Sequence, residues 1–454
     1  MKKLLPLMLL LLLFSLPLGC AYEVNKPQPT VPHANAGEDQ TVFEDFQCQL
    51  NGSLSTGDLA TCFWRVKTLP SGASTPEVTS SGELKAYFTP TTLGTYEFEI
   101  GLCNELGSST DQVKITAVSF RTPSIEAGFY GMCAHLQSHD GENEEDLDRT
   151  IQMMSEIGVQ FVRFDFDWKD IEPENEDFDF SKYENIIAKL KEKNIKILGI
   201  LTLRPGGSWS DPTTGDEQEI DHFADFAYNT VKHFKTDVKF WEIWNEPNND
   251  FFWEDPSFVN YTKLLRAAYG AVKQADPDAV VILGGIVGDG VEEAYLEDGV
   301  VRIVYGRGGF LAGIYANLGR NYFDVAAIHP YPFAKDIDST ASLVTAINTA
   351  KMIMTLQGDY SKQLWLTELG PMFFPPEEIN FISPDRAYTE SEVAGWLDLI
   401  YTDLKTQCDK LFWYEFRDYP GSFSLQNLAP NWEGLVDEDY NTKEAYTAYE
   451  NLSK

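Results

Sequence analysis

The chain has 454 residues, which is long for one average domain but suits a small domain followed by a large barrel or α/β domain. Its 35 Lys and Arg residues stand against 70 Asp and Glu residues, so the formal net charge is −35 at pH 7. This charge repels phosphate backbones, and nucleic acid is therefore not an expected partner.

Residues 1–20 predict an export signal. Two lysines precede an apolar run, which Pro6, Ser15 and Pro17 interrupt and which is shorter than the ~20 residues of a membrane-spanning helix. The sequence Leu-Gly-Cys-Ala at 18–21 resembles the end of a bacterial lipoprotein signal, and this resemblance implies lipidation of Cys20. The expected protein is exported and contacts the membrane only through that lipid anchor. Plain secretion is the alternative.

The cysteines that follow Cys20 do not indicate a zinc site. They are Cys48, Cys62, Cys103, Cys133 and Cys408. No two of them have CxxC spacing, and an odd number leaves at least one thiol unpaired in an exported protein. The first three lie in one region and would allow one disulfide, whose pairing the sequence leaves open.

The composition of residues 21–33 indicates a polar, proline-bearing linker. The pattern of residues 34–119 predicts an antiparallel β-sandwich. Short alternating runs such as TYEFEI (95–100) are separated by Gly, Ser and Asp turns. The segment resembles a PKD-type immunoglobulin-like module in ANAGEDQTV (34–42), QLNGSLSTG (49–57), FWRV (63–66) and FTPTTLGTYEF (88–98). This resemblance favours a spacer over a binding site.

Residues 120–454 predict an α/β domain, because apolar strands alternate with amphipathic helices as in parallel βαβ units. Strands are expected near 127–134, 159–166, 195–202, 238–245, 279–284, 323–329, 363–368 and 409–415. Eight strand–helix pairs indicate a (β/α)₈ TIM barrel with long loops. An open doubly wound sheet is the alternative, but no GxGxxG follows the first strand.

Polar residues follow several of these strands, at the end where all strands of a barrel share one mouth. Glu246 ends the fourth strand and Glu368 ends the seventh, while Arg163 lies near the end of the second. Two carboxylates about 5–5.5 Å apart suit glycosidic cleavage with retention, one as acid and one as nucleophile, whereas about 6.5–9.5 Å suits inversion. The negative charge of the nucleophile is expected to raise the pKa of the acid.

The motifs IWNEP (243–247), IHPYP (328–332), LWLTELG (364–370) and FWYEFRD (412–418) resemble those of clan A retaining glycoside hydrolases. Family 39 is the most similar, and family 5 is also similar. The resemblance implies that Glu246 is the acid/base and Glu368 the nucleophile. Leu203-Arg204-Pro205 departs from the histidine that usually ends the third strand in family 5.

The same resemblance implies supporting roles at the mouth. Asn245 would bind the sugar 2-hydroxyl, and Arg163 would orient the nucleophile and keep it ionised. His329 and Tyr331 would support the two carboxylates, and Trp413 would form the floor under the reacting sugar.

Aromatic residues in two loops are candidates for sugar binding, because the apolar faces of sugar rings stack on aromatic rings. Trp209 lies in RPGGSWSDPTTG (204–215) and Trp253 in NNDFFWEDP (248–256). Packing within the loops is the alternative for both.

The resemblance as a whole implies a hydrolase of β-linked oligo- or polysaccharides that requires no metal ion and no organic cofactor. A catalytically silent carbohydrate-binding or adhesive surface lipoprotein with the same barrel is the alternative. The presence of both glutamates and their helpers argues against it.

Overall fold

A computed structural model of the chain describes residues 30–44, 46, 48–58, 61–119, 123–202, 210–288, 293–297, 300–304, 307–331, 339–371, 389–418 and 434–454. Cys20 and Trp209 lie outside these ranges, as does most of the predicted linker. Among the described residues, no helix is both long and apolar enough to cross a bilayer.

Six strands form a β-sandwich ahead of the barrel. They are β1 (Gln40–Phe43), β2 (Cys48–Asn51), β3 (Thr61–Thr68), β4 (Lys85–Phe88), β5 (Gly94–Asn104) and β6 (Gly107–Val118). One sheet has the order β1-β6-β5-β3, and β2 pairs with β4 in a second sheet. Both sheets bury apolar side chains in one core, including Tyr96, Phe98 and Ile100 from the predicted alternating run. The sandwich is not wholly antiparallel as expected, because β1 runs parallel to β6.

The described cysteines of the sandwich are free thiols, so the disulfide that the sequence would allow is not formed. Cys62 of β3 lies opposite Leu102 of β5, whereas Cys103 lies opposite Thr61. Because side chains alternate between the faces of a sheet, this offset of one residue places Cys62 and Cys103 on opposite faces.

Parallel strands then close into a barrel. In chain order the strands after the sandwich are β7 (Tyr130–Cys133), β8 (Phe161–Asp167), β9 (Lys196–Thr202), β10 (Phe240–Ile243), β11 (Val280–Leu283), β12 (Ile286–Val287), β13 (Glu293–Glu297), β14 (Val300–Val304), β15 (Val325–His329), β16 (Gln363–Leu369) and β17 (Lys410–Trp413). The sheet order is β11-β10-β9-β8-β7-β17-β16-β15, and a pairing between β11 and β15 closes it. This confirms the predicted (β/α)₈ barrel. The short β12 extends the pairing of β15, and β13 pairs antiparallel with β14 in a separate two-stranded sheet.

Helices cover the outside of the barrel. They are α1 (Glu144–Glu156), α2 (Trp168–Ile171), α3 (Ser181–Glu192), α4 (Glu217–Phe234), α5 (Phe258–Ala275), α6 (Arg307–Ala316), α7 (Ala341–Leu356), α8 (Glu390–Leu404) and α9 (Glu444–Ser453). Several of them, including α1, α4, α5 and α8, begin at a residue whose side chain accepts hydrogen bonds from the first backbone N–H groups of the helix. Thr389, for example, forms a capping box with Glu392 at the start of α8.

The strands bury side chains on both faces, as expected of a parallel barrel. An inner cluster includes Phe161, Phe240, Trp365 and Phe412. A larger outer cluster fills the space between strands and helices. Since side chains alternate along a strand, Arg163 lies on the same face as Phe161, one step nearer the mouth.

The sandwich packs on the outer helices α4 and α5. Phe46 stacks on Tyr269 of α5, with ring centroids 5.5 Å apart, and meets Tyr322 edge-on. Tyr87 donates a hydrogen bond to Asp221 of α4 at 3.2 Å. These contacts lie on the outer side of the barrel wall, so the sandwich is not expected to take part in the chemistry of the mouth.

We expect a chain that begins at residue 123 to fold and to keep full activity on small substrates, because the barrel buries its own inner and outer cores. Its melting temperature should fall, since Phe46 no longer covers Tyr269 and Tyr322. Phe46→Ala in the full chain is the matched control and should reproduce part of that fall without loss of activity. An inactive truncated chain beside an active Phe46→Ala protein would show that the sandwich belongs to the catalytic unit.

Candidate active site

The guanidinium of Arg163 links three of the strands at the mouth of the barrel. From β8, its Nε and Nη2 donate to the carboxylate of Glu242 on β10, at 2.8 and 3.3 Å. Nη1 donates to Oε2 of Glu368 on β16 at 2.9 Å, and Nη2 donates to Oδ1 of Asn245 at 2.7 Å. Burial lowers the pKa of Arg163, but the charges of Glu242 and Glu368 outweigh this and raise it well above its usual range. The guanidinium therefore stays charged at every working pH.

Glu368 is held through both of its carboxylate oxygens. Arg163 contacts Oε2, and the hydroxyl of Tyr331 donates to Oε1 at 2.5 Å. Charge-assisted hydrogen bonds of this kind are stronger than neutral ones and fix the plane of the carboxylate. The structure thus brings the predicted Arg163 and Tyr331 to the predicted nucleophile.

Glu246 lies in a different environment on the other side of the mouth. Its Oε1 is 2.8 Å from Nδ1 of His329, and its Oε2 accepts from Nδ2 of Asn249 at 2.8 Å. Burial raises the pKa of Glu246 to about 7, with a smaller contribution in the same direction from the charge of Glu242. Burial, rather than the charge of Glu368 that the sequence suggested, is thus the main cause of the shift.

The backbone around Glu246 is strained. Trp244 has a φ of 68° and Glu246 a φ of 43°, both in the left-handed region that residues other than glycine seldom adopt. Such residues cost on the order of 1–3 kcal/mol each and are kept where surrounding contacts fix them. This double turn carries Glu246 out of the strand direction and toward His329.

The two carboxylates are close together. An oxygen of Glu246, an oxygen of Glu368 and a ring nitrogen of His329 all lie within 4.8 Å of one another. One oxygen of each carboxylate thus lies no more than 4.8 Å from the other, which fits the about 5–5.5 Å spacing of retaining glycosidases better than the about 6.5–9.5 Å of inverting ones.

Two carboxylates and an imidazole this close could also bind a metal ion. The charged guanidinium of Arg163 lies 2.9 Å from Glu368, so a second cation there would be repelled. We therefore do not interpret these residues as metal ligands.

Comparison with known proteins agrees with this geometry. A family model described as cellulase (glycosyl hydrolase family 5) matches residues 121–337. The barrel is a glycoside hydrolase domain. No curated protein sequence matches the chain.

Solved structures of similar fold include a family 39 glycoside hydrolase from Bacteroides cellulosilyticus, with 18% identity, a TM-score of 0.53 and coverage of 93% of this chain and 82% of that one. A family 39 β-xylosidase from Caulobacter crescentus has 17% identity and a TM-score of 0.54, covering 73% of this chain and 72% of that one. An exo-β-1,4-mannosidase from an Opitutaceae bacterium has 16% identity and a TM-score of 0.54, covering 73% of this chain and 61% of that one. The glycoside hydrolase domain thus has the clan A fold.

Two residues that sequence reasoning missed lie beneath the carboxylates of the glycoside hydrolase domain. Glu242 and Thr367 are fully buried, and Thr367 donates to Oε1 of Glu242 at 3.1 Å. Glu242 sits between apolar residues in KFWEIW, and Thr367 directly precedes Glu368. One feature of the sequence could have indicated Glu242. It is a charged residue within a buried strand, two positions after Phe240 and on the same face, so its side chain must point either into the barrel interior or into the outer core.

Trp413 does not form the floor of the mouth, and this expectation was wrong. It is fully buried in the outer cluster, where its ring centroid lies 5.8 Å from that of Trp396 on α8. Phe412 precedes it in the inner cluster, so the alternation of the strand directs Tyr414 inward. Tyr414 packs against the inner cluster, and its hydroxyl oxygen lies 3.4 Å from Nε2 of His135. Among the residues that the structure describes, Tyr414 is therefore the aromatic residue of β17 and its immediate extension that faces the mouth.

An ion pair between the partly exposed His135 and the buried Glu415 lies beside Tyr414. Nε2 of His135 is 3.4 Å from the carboxylate of Glu415, which is fully buried. Burial lowers the pKa of His135, but the hydrogen bond and charge of Glu415 outweigh this and raise it to about 9. Sequence reasoning did not include this pair, although Glu415 lies within the FWYEFRD motif.

Trp253 is also not a sugar platform. It is fully buried and meets Trp244 edge-on at 5.6 Å and Tyr261 edge-on at 5.7 Å. Loop packing, the alternative weighed from the sequence, is what the structure shows. Trp209 lies outside the described residues and keeps only its status as a prediction.

We expect Tyr414→Ala to lower kcat/KM roughly tenfold, because loss of an aromatic contact with a sugar ring removes about 1.5 kcal/mol. Trp413→Phe is the matched control. It should lower the melting temperature through lost packing on Trp396 but leave kcat/KM nearly unchanged below the transition. A larger loss of kcat/KM in Trp413→Phe than in Tyr414→Ala would contradict this assignment.

Proposed function

We propose that the protein is a retaining glycoside hydrolase that cleaves O-glycosidic bonds of β-linked oligo- or polysaccharides by double displacement. The observation that carries the proposal is the placement of Glu246 and Glu368 within 4.8 Å of each other in two different environments. One carboxyl is buried and has a raised pKa, and the other accepts from an arginine and a tyrosine.

In the first step, the carboxylate of Glu368 attacks the anomeric carbon while Glu246 gives its proton to the departing oxygen. With a pKa of about 7, Glu246 holds that proton through the weakly acidic range. Arg163 and Tyr331 aim the carboxylate of Glu368. The products are the leaving alcohol and a glycosyl ester on Glu368.

In the second step, Glu246, now ionised, takes a proton from water, and the resulting nucleophile displaces Glu368 from the anomeric carbon. Both displacements invert the centre, so the configuration is retained overall. Asn245 offers its amide NH₂ to the sugar 2-hydroxyl, since its Oδ1 already accepts from Arg163.

The names of two structurally similar proteins support a β-linked substrate. One is a β-xylosidase and the other an exo-β-1,4-mannosidase. The silent carbohydrate-binding alternative gains no support from the site, because each predicted carboxylate has its supporting partners in place.

The leaving group separates the roles of the two glutamates. Glu246→Ala should lose about 10² to 10⁴ in rate on oligosaccharides but form its glycosyl intermediate nearly normally from an activated aryl β-glycoside, whose leaving group needs no proton. Glu368→Ala should lose its activity on both substrates, because no nucleophile remains. Rates of both variants on both substrates provide the measurement.

Azide gives an independent check through product stereochemistry. It should rescue Glu246→Ala with a glycosyl azide of retained configuration and Glu368→Ala with one of inverted configuration, as read by NMR. Reversed configurations would overturn the assignment of acid and nucleophile. No turnover by the unsubstituted protein on a broad panel of β-glycans and aryl β-glycosides would favour the silent carbohydrate-binding protein.

We further propose that the protein is exported and anchored through lipidated Cys20, on the strength of the Leu-Gly-Cys ending. In the native host, Cys20→Ser should move the protein from the membrane fraction to a soluble or precursor form. Mass spectrometry that finds a mature N-terminus elsewhere, without acyl groups, would rule out the anchor and leave plain secretion.

A further inference from the structure

The two catalytic carboxylates are connected beneath the mouth by a chain of buried hydrogen bonds. Nδ1 of His329 contacts Glu246 at 2.8 Å, and Nε2 of the same ring contacts Oγ1 of Thr367 at 3.1 Å. Thr367 continues to Glu242, whose carboxylate binds Arg163 and through it Glu368. His329, Thr367 and Glu242 are each fully buried.

The chemistry of Glu242 gives this chain a direction. Its Oε1 accepts from the backbone N–H of Gly285 at 2.8 Å and from Thr367 at 3.1 Å. A threonine hydroxyl has one proton, and Thr367 donates it to Glu242. Toward His329 the hydroxyl oxygen is therefore an acceptor, so Nε2 of His329 carries a proton.

Gly285 holds the ring of His329 in place. A Cβ at residue 285 would lie 1.9 Å from Nε2, so only glycine leaves room for the ring at this position. The ring is thus confined between the backbone of Gly285 and Thr367, and its two nitrogens keep their separate partners.

With a proton on Nε2, a neutral His329 directs the lone pair of Nδ1 at Glu246. A lone pair and an ionised carboxylate oxygen 2.8 Å apart repel each other, whereas a protonated Glu246 donates to Nδ1. We propose that Thr367 and Glu242 are positioning residues that fix the Nε2–H tautomer of His329 and thereby keep the proton on Glu246. The proposal rests on the proposed function only in taking Glu246 as the acid.

Several titratable or charged groups face Glu246. They are His329 from β15, Arg163 from β8, Glu242 from β10 and Glu368 from β16, while Asn249 donates a neutral hydrogen bond. Thr367→Val removes none of these groups and nearly preserves side-chain volume. It removes the acceptor for Nε2–H, so the ring is free to place its proton on Nδ1 and donate to an ionised Glu246.

The tautomer is measured directly by NMR of the full chain labelled with ¹⁵N-histidine, which has six histidines. The His329 signals are assigned by their loss in His329→Gln. We expect a proton on Nε2 in the unsubstituted protein and in Thr367→Ser, which keeps the hydroxyl. In Thr367→Val we expect the proton on Nδ1. A proton that stays on Nε2 in Thr367→Val overturns the proposal.

The pH dependence of kcat/KM tests the link to Glu246. In the unsubstituted protein the basic limb should lie near pH 7, where Glu246 loses its proton. An Nδ1–H donor stabilises the ionised carboxylate, so Thr367→Val should move this limb down by about one to two pH units. Thr367→Ser should leave it in place. Asn249→Ala should move it up, because the hydrogen bond from Asn249 lowers the pKa of Glu246.

A merely structural role for Thr367 would lower kcat/KM by the same factor at every pH. An unmoved basic limb in Thr367→Val, despite a changed tautomer, therefore overturns the link between the tautomer and Glu246. A protein that turns over no β-glycoside would refute the proposed function instead, and the NMR result would still decide whether Thr367 fixes the tautomer.

Discussion

The ion pairs of Arg163 inside the barrel determine how the rest of the mouth is arranged. Two carboxylates, Glu242 and Glu368, lie close to its guanidinium in a volume from which water is largely excluded. Breaking a buried pair of this kind typically costs about 3–5 kcal/mol, because the remaining charge has no solvent to compensate it. The strands β8, β10 and β16 must therefore keep the positions along the barrel axis, relative to one another, that allow these contacts. The functional geometry is in this way tied to the register of the barrel.

The same arrangement places two chemically identical side chains in different environments. Glu368 accepts hydrogen bonds from the guanidinium of Arg163 and the hydroxyl of Tyr331. Glu246 faces the imidazole of His329 and a neutral amide, and burial raises its pKa to about 7. Catalytic sites commonly separate an acid from a nucleophile through such environments. Here the separation extends to the buried residues Glu242 and Thr367, which contact neither carboxyl directly but govern the groups that do.

The sequence predicted the fold and the main residues of the mouth because both depend on local patterns. Apolar strands alternating with helices indicate a barrel, and a polar residue that ends such a strand must lie at the common rim, as Glu246 and Glu368 do. Which residues of a strand face the interior of the barrel cannot be predicted from the strand's own sequence. This orientation is set by pairing with neighbouring strands, which is why Trp413 was expected at the mouth and Tyr414 lies there instead. Glu242 was missed because a carboxylate in an apolar strand makes sense only once Arg163, 79 residues away, is known to face it.

The aromatic residues after β10 serve the site in a way that their sequence does not reveal. Trp244 must adopt a left-handed backbone for Glu246 to reach His329, and its side chain is fixed on several sides. Trp253 packs against the indole ring of Trp244, and Nε1 of Trp244 donates to the carbonyl of Phe252 at 3.0 Å. Phe223 of α4 contacts the same indole, with ring centroids 5.7 Å apart. These contacts provide the surrounding structure that a strained turn needs in order to persist. Trp253 therefore supports the position of Glu246 through Trp244 and the backbone, from the helix side of the barrel wall.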